Sequence, residues 1–170
     1  YSSQFTGEDT GWIAGRKNKI LKTTNSGNSW FALNPPVSPN GSGHIFRSIN
    51  FKNSLTGFIM GNWEYGAGNV IYGHEVLKTT DGGDNWVTIY TRYDLHANDM
   101  NFVDSSVGYI ATDKFLLKTI NGGHNWSSTP FGNVNLYGVN FLNISTGYAV
   151  GESFNGFGPL NGMIYKTTNE

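Results

Sequence analysis

The sequence predicts an all-β fold built from repeated four-stranded antiparallel units, and two patterns carry that prediction. The first is a motif written three times and begun a fourth: KTTNSGNSW from Lys22, KTTDGGDNW from Lys78, KTINGGHNW from Lys118 and KTTNE from Lys166. The second precedes each copy and places a Gly and an aromatic six positions after a Phe. It reads Phe5 with Gly11 and Trp12, Phe51 with Gly57 and Phe58, Phe102 with Gly108 and Tyr109, and Phe141 with Gly147 and Tyr148. Successive glycines of that pattern lie 46, 51 and 39 residues apart, bracketing the ~40–50 residues of a β-propeller blade. The fold expected is therefore a β-propeller segment of about three and a half blades in one domain, 1–170. Blade 1 falls at about 1–34, blade 2 at 44–91, blade 3 at 95–129 and an incomplete blade 4 at 134–170.

Each unit reads as short strands parted by Gly, Asn, Asp and Ser, most plainly in the second, with strands over 45–51, 57–61, 76–80 and 86–90. Ile45, Arg47, Ile49 and Phe51 alternate with Phe46, Ser48 and Asn50, as in a strand facing two different neighbours. The repeated motif is a hairpin turn. Asn25, Asp81 and Asn121 bond their own backbone, while Gly27, Gly83 and Gly123 supply the positive-φ position. Trp30, Trp86 and Trp126 then open the outer strand and bury a large ring against the turn. A feature present in every unit is most economically a fold element. The fourth unit offers strands over 136–141, 147–151 and 163–168 without the Gly-Gly-x-x-Trp half that supplies an outer strand. Because a ring takes about four to eight blades, it is expected to be completed by further blades of the same polypeptide or by another copy.

Composition narrows the function classes. Hydrophobic residues make up 38% and aromatics 15%, enough for a packed core. Only 14% are charged, the net charge is −1, and the Lys residues are mostly spent once per repeat, so no phosphate-neutralising patch forms and no nucleic-acid partner is expected. The absence of Cys removes disulfides, thiolate metal sites and Cys nucleophiles together. No apolar run approaches the ~18 residues of a membrane span.

The turns resemble the Asp-box, or BNR, repeat (Ser-x-Asp-x-Gly-x-x-Trp) of sialidases, sortilin-type receptors and related β-propellers. Thr stands for Ser throughout, and Asn for Asp in two of three complete copies. The longer context, TGWIAG followed by ILKTTNSGNSW, is similar to the Ycf48-like propellers, the photosystem II assembly factor family and its exported bacterial relatives. The resemblance implies a β-propeller, a secreted or periplasmic location and a binding role. The family's surface run of Arg has no counterpart among the scattered Arg16, Arg47 and Arg92.

In such a blade the first and third turns share one face, and the second turn and the link to the next blade share the other. The two long insertions, 62–75 and 152–162, are both second turns, so that second face is the expected binding surface. Its candidates are Trp63, Glu64, Tyr65, Tyr72, His74 and Glu75, with Tyr93 from a blade link and Phe154, Asn155 and Phe157 from the second insertion. Links add Pro35, Pro36, His44, Asp94 and His96. Flat rings and carboxylates suit a glycan or a protein; the same aromatics would equally pack the loops onto their own blades.

Three readings of function stay open on the sequence. The first is a non-catalytic exported scaffold binding a protein or glycan. The second is a glycoside hydrolase of the Asp-box propeller type, using paired carboxylates among Glu64, Glu75, Asp94 and Glu152 at roughly 5–10 Å. The third is a set of filler blades in a larger exported repeat protein. Sialidase chemistry needs three converging Arg, and none here stands in a family-like context. His44, His74, His96 and His124 are scattered, and the Asp81 and Asp84 pair is not shared by the other turns, so no metal and no cofactor is expected.

Overall fold

A computed structural model describes residues 2–39, 41, 43–65, 71–153 and 161–167, and the side chains of all of these except 64, 65, 71 and 72. Every regular element among them is a strand. The chain forms two compact units, Tyr1–Leu95 and His96–Glu170. In the first, β1 (Ser2–Phe5), β2 (Gly11–Ala14), β3 (Ile20–Thr23) and β4 (Phe31–Leu33) make one antiparallel sheet in chain order. β5 (Ile45–Phe51), β6 (Gly57–Tyr65), β7 (Ile71–Thr79) and β8 (Val87–Tyr93) make a second. The other unit is one sheet of β9 (Ala97–Phe102), β10 (Gly108–Thr119), β11 (Ser127–Phe141), β12 (Gly147–Ser153) and β13 (Asn161–Thr167), also in chain order. β11 serves two blades: Ser127–Pro130 pairs with β10, and Val134 onward pairs with β12. These are the strand-by-strand meanders of a β-propeller.

The recurrent Phe, Gly and aromatic positions form one device. Phe5, Phe51, Phe102 and Phe141 lie opposite Gly11, Gly57, Gly108 and Gly147 in register. Each ring covers its glycine so closely that an added Cβ would stand 2.5–2.7 Å from it at Gly11, Gly57 and Gly108, with the same clash at Gly147. The motif Trp of the same blade meets the Phe edge-on: Trp30 on Phe5, Trp86 on Phe51 and Trp126 on Phe102, at 5.9–6.1 Å and 82–87°. The other ring face takes the aromatic of the preceding blade, Trp12 stacked on Phe51 at 3.6 Å and Tyr109 on Phe141 at 3.4 Å. The motif Lys sits over that aromatic in each blade, Lys22, Lys78, Lys118 and Lys166 lying 5.2–5.9 Å from the rings of Trp12, Phe58, Tyr109 and Tyr148.

The turns are organised by the buried Thr23, Thr79 and Thr119. Each hydroxyl donates to the Asx side chain two residues on, at 2.7–3.0 Å, and accepts the N–H of Gly27, Gly83 or Gly123 at 2.9–3.0 Å. The Asx oxygen in turn accepts the N–H of Ser29, Asn85 or Asn125 at 2.9–3.0 Å. Those glycines have φ of 86°, 96° and 89°, where a Cβ is disfavoured. Trp30 and Trp126 donate their indole N–H to Gly27 and Gly123 O, whereas the buried Trp86 Nε1 finds no acceptor among the described residues.

Two boundaries differ from the sequence expectation. Outer strand β8 begins at Val87, leaving Trp86 in the turn. The insertion expected to be irregular over 62–75 is largely paired strand, with Asn62 opposite His74 and Tyr65 opposite Ile71. Gly61 read as the end of a strand, but it lies within the ladder opposite Glu75, with the Phe46 ring where a Cβ would stand.

Gly57→Ala should lower stability by about 1–3 kcal/mol in urea unfolding, because Trp12 blocks the far face of Phe51 and the ring cannot retreat; an unchanged midpoint would refute the stacking account. A second expectation concerns Asp81, whose carboxyl is held down from 3.8 to about 2 by the Asn85 backbone N–H, then by the Asn85 and Thr79 side chains. A depressed folded value means stability is gained above the unfolded value and lost as pH falls from about 3.8 through about 2. Asp81→Asn, the residue type of the other two turns, should flatten thermal stability over that window.

Candidate functional site

The turn faces follow from hydrogen bonds within each blade. Ser26, Gly82 and Gly122 of the motif turns donate their N–H to Asp9, Leu55 and Ser106 O of the first turns at 2.7–3.0 Å. First and third turns are thus stitched together on one face. Second turns and links meet on the other: Asn18, at φ 60° in the second turn of blade 1, donates its amide to Pro35 and Pro36 O at 3.2 and 3.0 Å.

That amide orients a buried network. With Asn18 Nδ2 fixed on two carbonyls, its Oδ1 faces His44 Nδ1 at 2.7 Å, so Nδ1 carries the proton. His44 Nε2 lies 2.6 Å from Glu75 Oε2, and Thr91 donates to Glu75 Oε1 at 2.8 Å. Both side chains are buried. Removing one partner from such a pair leaves a buried group unmatched, at a cost of about 3–5 kcal/mol.

Above this base the surface is aromatic. Tyr93 is 56% exposed and meets the buried Trp63 edge-on at 5.2 Å and 74°. Trp63 lies across Gly73, directly opposite it, and its indole N–H is buried without an acceptor among the described residues. Arg92 Nε donates to the exposed Asp94 at 3.1 Å beside Tyr93, and Asp94 has φ 93°.

The structure therefore sorts the sequence candidates by depth. Trp63, His74 and Glu75 lie below the surface; His74 donates Nδ1–H to Leu95 O at 3.1 Å and leans on Tyr90. They support the face, and Tyr93 is the exposed group. Glu64, Tyr65 and Tyr72 lie in β6 and β7, with Glu64 opposite Tyr72, and their side chains fall outside the described residues. Phe154, Asn155 and Phe157 also lie outside them. In the second unit Glu152 accepts a hydrogen bond from Tyr137, which together with partial desolvation raises the phenol above its ordinary pKa of 10.0. Asn18, Thr91 and Tyr137 were not singled out from sequence. Among the described residues no group of three or more His, Asp or Glu side chains is placed to hold a metal ion, and no helix is long and apolar enough to cross a membrane.

Glu75→Ala should lose about 3–5 kcal/mol in urea unfolding, while Tyr93→Ala should stay within about 1 kcal/mol of the parent. Equal effects would show that the two residues do not divide into base and surface.

No family model matches the chain. Over 123 residues, 69% of the chain, it is 27% identical to the photosystem II stability/assembly factor HCF136, chloroplastic, of Oryza sativa subsp. japonica, covering 27% of that protein. Among solved structures it is similar to YCF48 bound to D1 peptide, at 18% identity and a TM-score of 0.63 over 94% of the chain and 53% of that one. YCF48 from Cyanidioschyzon merolae gives 17% and 0.64 over 94% and 54%. An ancestral GH74 enzyme gives 19% and 0.69 over 98% and 24%. These likenesses establish the β-propeller fold. The chain spans about half the length of the YCF48 structures and about a quarter of the rice factor and the GH74 enzyme.

Proposed function

We propose that the chain is part of a non-catalytic β-propeller scaffold, exported to a secreted or periplasmic location, that binds a protein partner on the face of second turns and links. The observation that carries this is Tyr93, an exposed ring standing on buried Trp63 and flanked by the Arg92–Asp94 pair. A rigid ring with a charged rim is the usual form of an interface anchor. Tyr93 lies opposite Gly73 on a paired strand, two positions from Thr91 and Glu75, so little ordering is lost on binding.

Support also comes from the neighbours, one of which is a YCF48 propeller with a bound D1 peptide. A glycan stacked on the same ring is the rival ligand. The hydrolase reading loses ground at Glu75, whose carboxylate is buried, with both oxygens engaged by His44 and Thr91. A residue so placed does not reach a glycosidic oxygen.

The test is to probe peptide and glycan arrays with the parent chain and with Tyr93→Ala. A peptide whose Kd weakens at least about tenfold in the variant supports the reading. Peptide binding indifferent to Tyr93, glycan binding alone, or sugar release from a β-glucan would each overturn it.

A further inference from the structure

Cations collect at one end of the first unit, placed there by backbone irregularities. β2 and β3 are joined by a tip in which Lys17 and Asn18 both sit in the left-handed region, at φ 54° and 60°. Asn adopts that conformation readily and Lys does not, so Asn or Gly would hold the tip with less strain than Lys17. Arg16, Lys17 and Lys19 are all exposed. The chain entering β5 is laid against this tip. Gly15 O accepts Phe46 N–H at 3.0 Å, His44 O accepts Asn18 N–H at 3.1 Å, and a Cβ on Gly43 would stand 3.1 Å from Lys17 Cα. A bulge between Phe46 and Ser48 then turns out Arg47, which is exposed. Arg16 and Arg47, far apart in the sequence, therefore flank one hydrogen bond.

The other copies do without these charges. Five residues after the paired Gly, blade 1 has Arg16 where the next three have Asn62, Asp113 and Glu152. The bulged residue is Arg47 in blade 2 but Asn98 and Tyr137 after it. In the second unit these positions pair within their own blade, Asn98 donating to Asp113 and Tyr137 to Glu152. In the first, among the described residues, Arg16, Lys17, Lys19 and Arg47 meet no carboxylate. Of the unit's acids, Glu8, Asp9, Asp81 and Asp84 stand in first and third turns, at the other end of the strands. Glu75 is buried against His44, Asp94 is held by Arg92, and the Glu64 side chain lies outside the described residues. A chain-wide net charge of −1 predicts no basic patch, yet folding makes one locally by sorting the charges to opposite ends of the sheets.

An apolar group stands beside the cations. Asn18 Nδ2 holds Pro35 and Pro36 O, and the next residue, Val37, is 64% exposed. Cations splayed over a hairpin tip converge on no single point, so they suit many distributed anions better than one small anion. We propose that this end of the first unit is a docking surface for an anionic lipid bilayer, with Arg16, Lys17, Lys19 and Arg47 on the headgroups and Val37 at the acyl boundary. An acidic peptide would meet the same cations but would leave Val37 in water. The surface contains neither Tyr93 nor Trp63 and stands whether or not that ring binds a protein.

The test is flotation of the 170-residue chain with vesicles of phosphatidylcholine alone and of phosphatidylcholine with about 30% phosphatidylglycerol, in about 0.05 M salt. The chain should float with the anionic vesicles only and be released at about 0.5 M salt. Arg16→Gln and Lys17→Asn should each weaken partition about fivefold. Lys52→Gln, the same change of charge in the first turn of blade 2, should stay within about twofold. Lys17→Arg keeps the charge and should keep the binding, which separates a lost cation from a disturbed turn. Val37→Ser should weaken binding about fourfold or more and leave its salt dependence unchanged. Failure to float with anionic vesicles, flotation with phosphatidylcholine alone, or equal losses for Arg16→Gln and Lys52→Gln would overturn the proposal. Full displacement by poly-glutamate or duplex DNA, at a charge concentration equal to that of the lipid, would overturn the lipid assignment in favour of an acidic polymer.

Discussion

A phenylalanine ring laid across a glycine on the neighbouring strand sets the geometry on which the rest of each blade depends. With no Cβ beneath it, the Phe51 ring drops onto Gly57 and presents its other face to Trp12 of the preceding blade and its edge to Trp86 of its own turn. Strand register, turn packing and blade-to-blade stacking are therefore not three separate requirements. A one-residue slip in the β5–β6 pairing would turn Phe51 to the opposite face of the sheet and break all three at once. The same arrangement at Phe141, Gly147 and Tyr109 shows it to be a property of the repeat rather than of one site.

A polar thread runs beside this aromatic one. Gln4 donates to Phe51 O and accepts Phe51 N–H, so its side-chain amide imitates a strand partner for the next blade's innermost strand. In the second unit Asn101 accepts Phe141 N–H, Asp99 accepts Val139 N–H and Asn98 donates to Leu136 O. Innermost strands lack room for a continuous ladder between blades, and side chains satisfy the backbone groups that would otherwise be buried unpaired. Gln4, Asn50, Asn101 and Asn140 all stand just before the key Phe, a regularity that gains its meaning only from these bonds.

Features that recur were legible in the sequence, because a repeat reports on what every copy must do. The Asx turns, the positive-φ glycines and the Phe-to-Gly spacing could all be read from three or four aligned occurrences. Features that occur once were not. Nothing near His44 or Glu75 signals that they meet, since they lie 31 residues apart and Asn18, which fixes the imidazole, comes from a third segment. Glu75 and His74 therefore read as groups of a polar loop. Their burial follows from the extension of β6 and β7, which carries both residues into the sheet. The depth of a side chain depends on pairing length, and Gly61 disguised that length.

The contrast between recurring and singular features also bears on where function lies. Within every complete copy the motif turn repeats the same Thr and Asx bonds and the same stitch to its own first turn. Such uniformity leaves little room for a unique ligand. The second turns of the copies diverge: a two-residue turn at Lys17 and Asn18 in blade 1, β6 and β7 paired out to Tyr65 and Ile71 in blade 2, and a return at Asp113 and Lys114 closed by Thr112 and Phe115 in blade 3, where Lys114 has φ 86°. Divergence among copies that share one core is not required by the core. Chain variation that the scaffold tolerates without using is where recognition can be built at least cost to stability. In the first unit the second-turn side also holds the buried His44–Glu75 pair, and removing one member would leave the other unmatched. Two positions along the same pairing from Thr91 and Glu75, Tyr93 stands opposite Gly73 with its ring against the buried Trp63, so its backbone is held by the ladder although its side chain is exposed.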